Sequence, residues 1–192
     1  MSIFNIPKRF IMLDLETLST KPNAAIVSIG ACICDNTQRF IETSFQAHVN
    51  LNTYFNTSNN AFDVSGATLQ WWLNQSSEAQ QATFIANASS LDDALDSFDT
   101  YLVENNAQNI PIYGNGADFD NVVLTQAYAF YFKSLPWNFR MNRCYRTMKN
   151  LVPSVEITRK AGEHHNAKAD AENQAVHLLE IFEVIQNGGI LK

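Results

Sequence analysis

The sequence predicts an α/β fold in which a mixed sheet is covered by helices. Three observations lead there. Apolar extended segments follow one another near the beginning; a short apolar strand runs through a glycine turn into an apolar helix in the second half; a long amphipathic helix closes the chain. The 192 residues, 46% of them hydrophobic and 17% charged, suit one folded domain over 1–192, and no internal repeat, low-complexity tract or composition break marks a linker.

The extended segments cover residues 10–15, 25–34 and 40–49, the first two rich in Ile, Val, Leu and Met, and their short connections favour antiparallel neighbours. The polar loop FNTSNNAFDVSG then leads to a helix expected at 67–74. A second helix is expected at 91–104, where Leu91, Leu95, Phe98 and Leu102 recur at helical spacing and Asp92, Asp93, Asp96 and Asp99 take the other face. A short strand at 110–113, a Gly-Asn-Gly turn and a helix at 119–132 form a β-turn-α unit. The stretch VVLTQAYAFYF inside that helix is far shorter than the roughly 20 residues of a membrane span and is interrupted by Thr125 and Gln126, so a buried helix and no membrane contact are expected. Residues 151–166, with Pro153 and Gly162, make a connection long enough to be a candidate functional loop. The last helix, 167–186, has the core stripe Ala171, Ala175, Leu178, Leu179, Phe182 and Ile185, and Asn187-Gly188-Gly189 supplies its stop.

A net charge of −6 argues against a tight, non-specific grip on duplex DNA, which needs many Lys and Arg contacts to phosphates. It does not exclude a nucleic-acid enzyme, because a site built around bound cations concentrates carboxylates and lets the metal face the phosphate. Cys32, Cys34 and Cys144 match neither a zinc site nor a disulfide framework and read as reduced thiols. Lys8 and Arg9 follow the first apolar residues, the reverse of a signal peptide, and a cytoplasmic protein is the expectation. There is no G-x-x-x-x-G-K-[ST] segment, so an ATP-driven motor is not indicated.

Three segments carry chemistry. In IMLDLET, Asp14 and Glu16 sit two positions apart in an apolar strand, so their side chains share a face. Two like charges there are costly unless a proton or an oxygen-seeking cation neutralises them. Alone, such a pair is commonplace on solvated strand ends. In YGNGADFDNVVL, Asp118 and Asp120 arrive where a helix begins; Asp118 is the better candidate for the helix cap, which leaves Asp120 for a metal-linked role. In EHHNAKADAENQA, two histidines precede Asp170 on the first turns of the final helix, though a histidine pair near a helix start is a frequent accident.

The joint order of these motifs over Asp14 to Asp170 resembles the DEDDh exonucleases of the RNase H-like superfamily. The segments TLQWWLNQSSEAQ and GNGADFDNVVL are most similar to the small DexA-like phage exonucleases and related exoribonucleases. That resemblance implies a mixed five-stranded sheet flanked by helices and a 3′→5′ exonuclease acting on the 3′ end of a single-stranded nucleic acid. It carries over Asp14, Glu16, Asp120 and Asp170 as ligands of two divalent ions, Mg²⁺ or Mn²⁺, with His165 as general base. The five-residue step to Asp170 selects His165 over His164. DNA is the expected substrate; an exoribonuclease or oligoribonuclease with the same site is the alternative, and a non-catalytic nucleotide-binding module the more distant one. The resemblance also admits a homodimer, with no interface visible in the sequence.

Substrate contacts are expected from Thr17 and from Leu18, which similar enzymes use as a wedge between bases, and from Trp72, since of the adjacent Trp71 and Trp72 at most one can face a cleft. Residues 133–160 hold Lys133, Arg140, Arg143, Arg146, Lys149, Arg159 and Lys160 against only Glu156, and Arg140 and Arg143 are the candidates for a phosphate track. An ordinary solvated face reads the same excess equally well.

Overall fold

The computed structural model describes residues 5–55, 61–85, 87–116, 118–157 and 165–188. Five strands form one sheet: β1 (Arg9–Thr17), β2 (Ile26–Asp35), β3 (Phe40–His48), β4 (Ile112–Gly114) and β5 (Asn142–Cys144), in the order β3-β2-β1-β4-β5. β1, β2 and β3 pair antiparallel, as their short connections predict, whereas β4 and β5 join parallel to β1 after helical crossovers. The mixed sheet of the α/β expectation is therefore present.

Alternation along β1 divides the interior. Ile11, Leu13 and Leu15 join Ile29, Ala31 and Ile33 of β2 in a core closed by α4 (Leu91–Glu104) and α5 (Asp120–Phe130). Phe10 and Met12 join Cys32 and Cys34 on the opposite face, under Ala171, Ala175, Leu178, Leu179, Phe182 and Ile185 of α7 (Ala167–Gln186). The bounds of α4 and α7 match the hydrophobic stripes read from the sequence. Asp14 and Glu16 prolong the Phe10–Met12 face, so they emerge beneath the amino-terminal end of α7.

Gly30 makes that approach close. It pairs with Asp14 across the β1–β2 ladder, and a Cβ at Gly30 would stand 2.0 Å from the backbone carbon of Ala167 and 2.3 Å from the nitrogen of Lys168. Only a residue without a side chain lets the first turn of α7 rest on the strand. Asn166 caps that turn by accepting from the Ala169 N–H at 3.0 Å.

Several elements depart from the sequence reading. The helices α1 (Asn52–Phe55), α3 (Ser77–Thr83) and α6 (Tyr145–Leu151), the 3₁₀ turn Phe139–Met141 and the edge strand β5 carry too short or too polar a pattern to be read, while α2 (Gly66–Leu73) lies where expected. The strand expected at 110–113 is shifted to Ile112–Gly114, because Pro111 has no N–H for the ladder. Helix α5 stops at Phe130; Phe132 takes φ +54° and is 98% exposed, so the apolar run expected to be buried to its end closes on solvent. The Lys133 and Phe132 N–H groups return to Tyr128 and Ala129 carbonyls and satisfy that terminus. Asp118 does not cap α5: the cap position is Phe119, with no side-chain hydrogen bond. No helix among the described residues is long and apolar enough to cross a membrane.

The contact at Gly30 gives a direct test. Gly30→Ala places a methyl group against main chain that has no rotamer to yield, so a loss of at least about 2 kcal/mol in unfolding free energy is expected. Chemical denaturation checks it; an unchanged midpoint would mean that α7 does not rest on β2 as described.

Candidate active site

The five residues singled out by motif converge. Asp14 and Glu16 from the end of β1, Asp120 from the start of α5, Asp170 from the first turn of α7 and His165 just before that helix line one cavity of about 280 Å³ with Leu15, Asn115, Phe119, Arg146 and Gln174. Ligand atoms of Glu16, His165 and Asp170 all lie within 4.8 Å of one another. His164, the neighbour that spacing set aside, is outside the described residues, as are Arg159, Lys160 and Gly162.

Each group is fixed by a different local device. Asp120 is buried, and its two oxygens accept from the backbone N–H of Leu15 at 3.2 Å and of Asn115 at 2.7 Å. One side chain thus ties β1 to the turn after β4. Asp14 is partly buried and accepts from the Gln174 amide at 2.7 Å. Asp170 accepts from the His165 backbone N–H at 3.1 Å, and the His165 carbonyl accepts from the buried Thr83 hydroxyl at 2.8 Å. His165 itself is held at φ +63°, a conformation seldom adopted outside glycine, and its ring meets Trp71 edge-on at 4.8 Å.

Electrostatics follow from crowding acids in a poorly solvated place. Burial, then Asp120, Glu16 and Asp170, hold the Asp14 carboxyl well above the ordinary carboxylate range, the Gln174 hydrogen bond opposing them. Burial, reinforced by Asp170 and Asp120, pushes Glu16 up to about 8. Asp120 rises only to about 6, because backbone hydrogen bonds from Asn115, Leu15 and its own N–H, and the nearby Arg146, work against its burial. Arg146 is the one Lys or Arg among the described residues lining this cavity. Four carboxylates and an imidazole form an oxygen-rich donor set that suits a hard divalent cation, and the raised proton affinities of Asp14, Glu16 and Asp120 are the expected mark of a site whose positive charge comes from elsewhere.

A second cavity, about 480 Å³, shares Leu15, Glu16 and Phe119 with the first and is further lined by Thr17, Ser19, Thr20, Ser65, Ala67, Thr68, Trp71 and Trp72. Thr17, one of the residues expected to contact substrate, lines this cavity. Leu18 does not: it is fully buried in the core because the bulge between Glu16 and Thr17 turns it inward. Trp72 is 2% exposed and donates its indole N–H to the Thr17 carbonyl at 3.0 Å, whereas Trp71 is 44% exposed and is the face a base can reach. Lys133 is committed to Asp92 and Asp96 of α4, away from the acids. Arg140 and Arg143 are exposed and line neither cavity; Arg143 donates to the carbonyls of Arg140 and Asn142.

Motif reading missed Gln174 and Thr83, and from the basic residues of 133–160 it singled out Arg140 and Arg143 where Arg146 lines the cavity. Gln174 stands four positions after Asp170 on one helix face, a signal that was present. Thr83 reaches His165 from 82 residues away, with no sequence trace of the contact.

The fold has known counterparts. The nuclease domain of 3'hExo, a DEDDh family member solved bound to rAMP, matches with a TM-score of 0.62 and 12% identity over 93% of this chain and 94% of that one. Cell-death related nuclease 4 matches at 0.63 and 14% identity, covering 92% of this chain and 64% of its own. The zinc-bound E. coli ExoI–ssDNA complex matches at 0.57 and 14% identity over 97% of this chain and 42% of that one. No curated protein matches the sequence. The architecture is thus that of the DEDDh exonucleases. The model of the 3'-5' exoribonuclease Rv2179c-like domain matches residues 9–182, so the chain belongs to that family and is a 3′→5′ exonuclease of the DEDDh type.

Raised proton affinity links stability to pH. Glu16, at about 8 in the fold against an ordinary 4.5, stabilises the metal-free protein fully below about 4.5 and loses that contribution as pH rises through 8. Melting temperature in chelator should therefore fall between pH 6 and 9, and Glu16→Gln should flatten the fall; an equally steep fall in the variant would contradict the assignment. Manganese should raise the melting temperature more at pH 8.5 than at pH 6, since protons compete for the same oxygens. Gln174→Ala should weaken manganese affinity about 10- to 100-fold in calorimetry, the usual effect of losing a group that orients a ligand. Unaltered affinity would show that Asp14 is oriented without it.

Proposed function

We propose that the protein removes nucleotides one at a time from the 3′ end of single-stranded nucleic acid, releasing nucleoside 5′-monophosphates. The observation that carries this reading is the convergence of Asp14, Glu16, Asp120, Asp170 and His165 in one cavity beside a larger groove of nucleoside size. RNA is favoured as the substrate, in place of the DNA expected from the sequence, because the family is described as exoribonucleases and a structural counterpart holds rAMP. DNA keeps support from the likeness to exonuclease I with single-stranded DNA.

Asp14, Glu16, Asp120 and Asp170 would hold two divalent ions, Mg²⁺ or Mn²⁺. When bound, such a pair supplies positive charge to the phosphate and lowers the pKa of a coordinated water. The chain's own groups do the rest. His165, a residue type whose ordinary pKa suits proton transfer in neutral solution, takes the proton from the attacking water as the new P–O bond forms. The bond from phosphorus to the upstream 3′ oxygen breaks, and the strand leaves one nucleotide shorter. The left-handed backbone of His165, its bond to Asp170, the Thr83 hydroxyl and the Trp71 ring together set the imidazole in place. The terminal nucleoside occupies the larger groove, with Trp71 and Phe119 against the base and Thr17 near the sugar.

Labelled RNA and DNA strands with and without Mn²⁺ test this. Stepwise shortening from the 3′ end is expected, faster on RNA, and Asp14→Asn should reduce it on the order of a thousandfold or more while the protein stays folded. His165→Ala should lose far more activity than His164→Ala. Retained turnover in Asp14→Asn, or the opposite order of the two histidines, would refute the assignment of roles.

A further inference from the structure

The two cavities meet at Leu15, Glu16 and Phe119, but their other walls differ. Trp71, Trp72 and Thr17 line only the larger groove; Asn115 and Arg146 line only the acid cavity. With the released nucleoside in the groove and the reacting phosphate at the acids, Arg146 stands on a wall of the acid cavity that the groove does not share, and it is the cationic side chain there among the described residues.

The arginine is built into that place. Its Nη2 donates to the Asn115 carbonyl at 2.6 Å, and the N–H of the same Asn115 donates to Asp120 at 2.7 Å. The guanidinium lies across the glycine turn, with Nη2 3.5 Å from where a Cβ of Gly116 would be. A guanidinium offers five N–H donors, of which the bond to Asn115 uses one, and its planar fork matches two oxygens of a phosphate. Arg146 is exposed, so a strand can reach it without rearrangement. Arg140 and Arg143, exposed and outside both cavities, lack this anchoring to the site.

We propose that Arg146 grips the phosphodiester immediately upstream of the one being cut, and so binds the strand left behind instead of the nucleotide released. This rests on the exonuclease reading. It gives an acidic protein a local cationic hold at the point where the polymer enters, and it makes Arg146 a determinant of preference for strands over isolated nucleotide esters.

The test compares two substrates on the full chain with Mn²⁺: a short 5′-labelled single strand, RNA or DNA according to what the wild type cleaves, and a nucleoside 5′-(p-nitrophenyl phosphate), which presents the same nucleotide with p-nitrophenolate replacing the upstream strand. Arg146→Gln should lose about tenfold or more in kcat/KM on the strand, mainly through KM, and its dependence of log KM on log salt should flatten by about 0.7, the value for one phosphate contact on a single strand. On the ester the loss should be about threefold or less, and Arg146→Lys should recover part of the strand affinity. Equal losses on both substrates would place Arg146 at the reacting phosphate or at Asp120 and overturn the proposal, as would an unchanged KM on the strand. A wild type that cleaves neither substrate would bring down the exonuclease reading, and the proposal with it.

Discussion

Everything in this molecule hangs on the contact between the backbone of Gly30 and the first turn of α7. A side chain at that strand position would meet main chain at 2.0 Å, so the approach exists only because glycine stands opposite Asp14. Closing that gap brings Asp170 and the residue before the helix, His165, over a strand that already carries Asp14 and Glu16. The apolar seam of Phe10, Met12, Cys32 and Cys34 under α7 supplies the burial that holds the helix down. Hydrophobic packing at one end of the helix thus forces like charges together at the other.

The consequence is a site that is uncomfortable by construction. Glu16 and Asp14 are held toward their protonated forms, while Asp120, fed by two backbone N–H groups, ionises more readily than its neighbours. The difference lies in the backbone hydrogen bonds to Asp120 and in the nearby Arg146, which together oppose its burial. The backbone is strained here too: His165 is left-handed without being glycine, and Thr83, Asp170 and Trp71 fix it from three sides. A divalent ion would relieve the repulsion that the fold creates.

How much of this the residues announce depends on the range of the interaction. Period-two burial along β1 and the α7 stripe are local patterns, and both elements, with the face that Asp14 and Glu16 share, are legible from them. The order of the motifs names the acids before any coordinates do. What stays hidden is set by contacts between distant segments. A bulge after Glu16 turns Leu18 into the core, so the residue beside the motif is not a substrate wedge. The choice between Trp71 and Trp72 depends on which face of α2 meets the Thr17 carbonyl, and a short helix with a weak apolar pattern does not declare that. Lys133 looks like part of a basic track until α4 supplies Asp92 and Asp96. Short elements such as α3, α6 and β5 take their conformation from their neighbours more than from their own composition.

The measurement that bears most directly on this account is anomalous diffraction from crystals soaked in manganese near pH 8, the region in which Glu16 gives up its proton. The account predicts anomalous density in the acid cavity, within bonding distance of oxygens from Asp14, Glu16, Asp120 and Asp170. A cavity without such density, or ions bound only elsewhere on the surface, would contradict it.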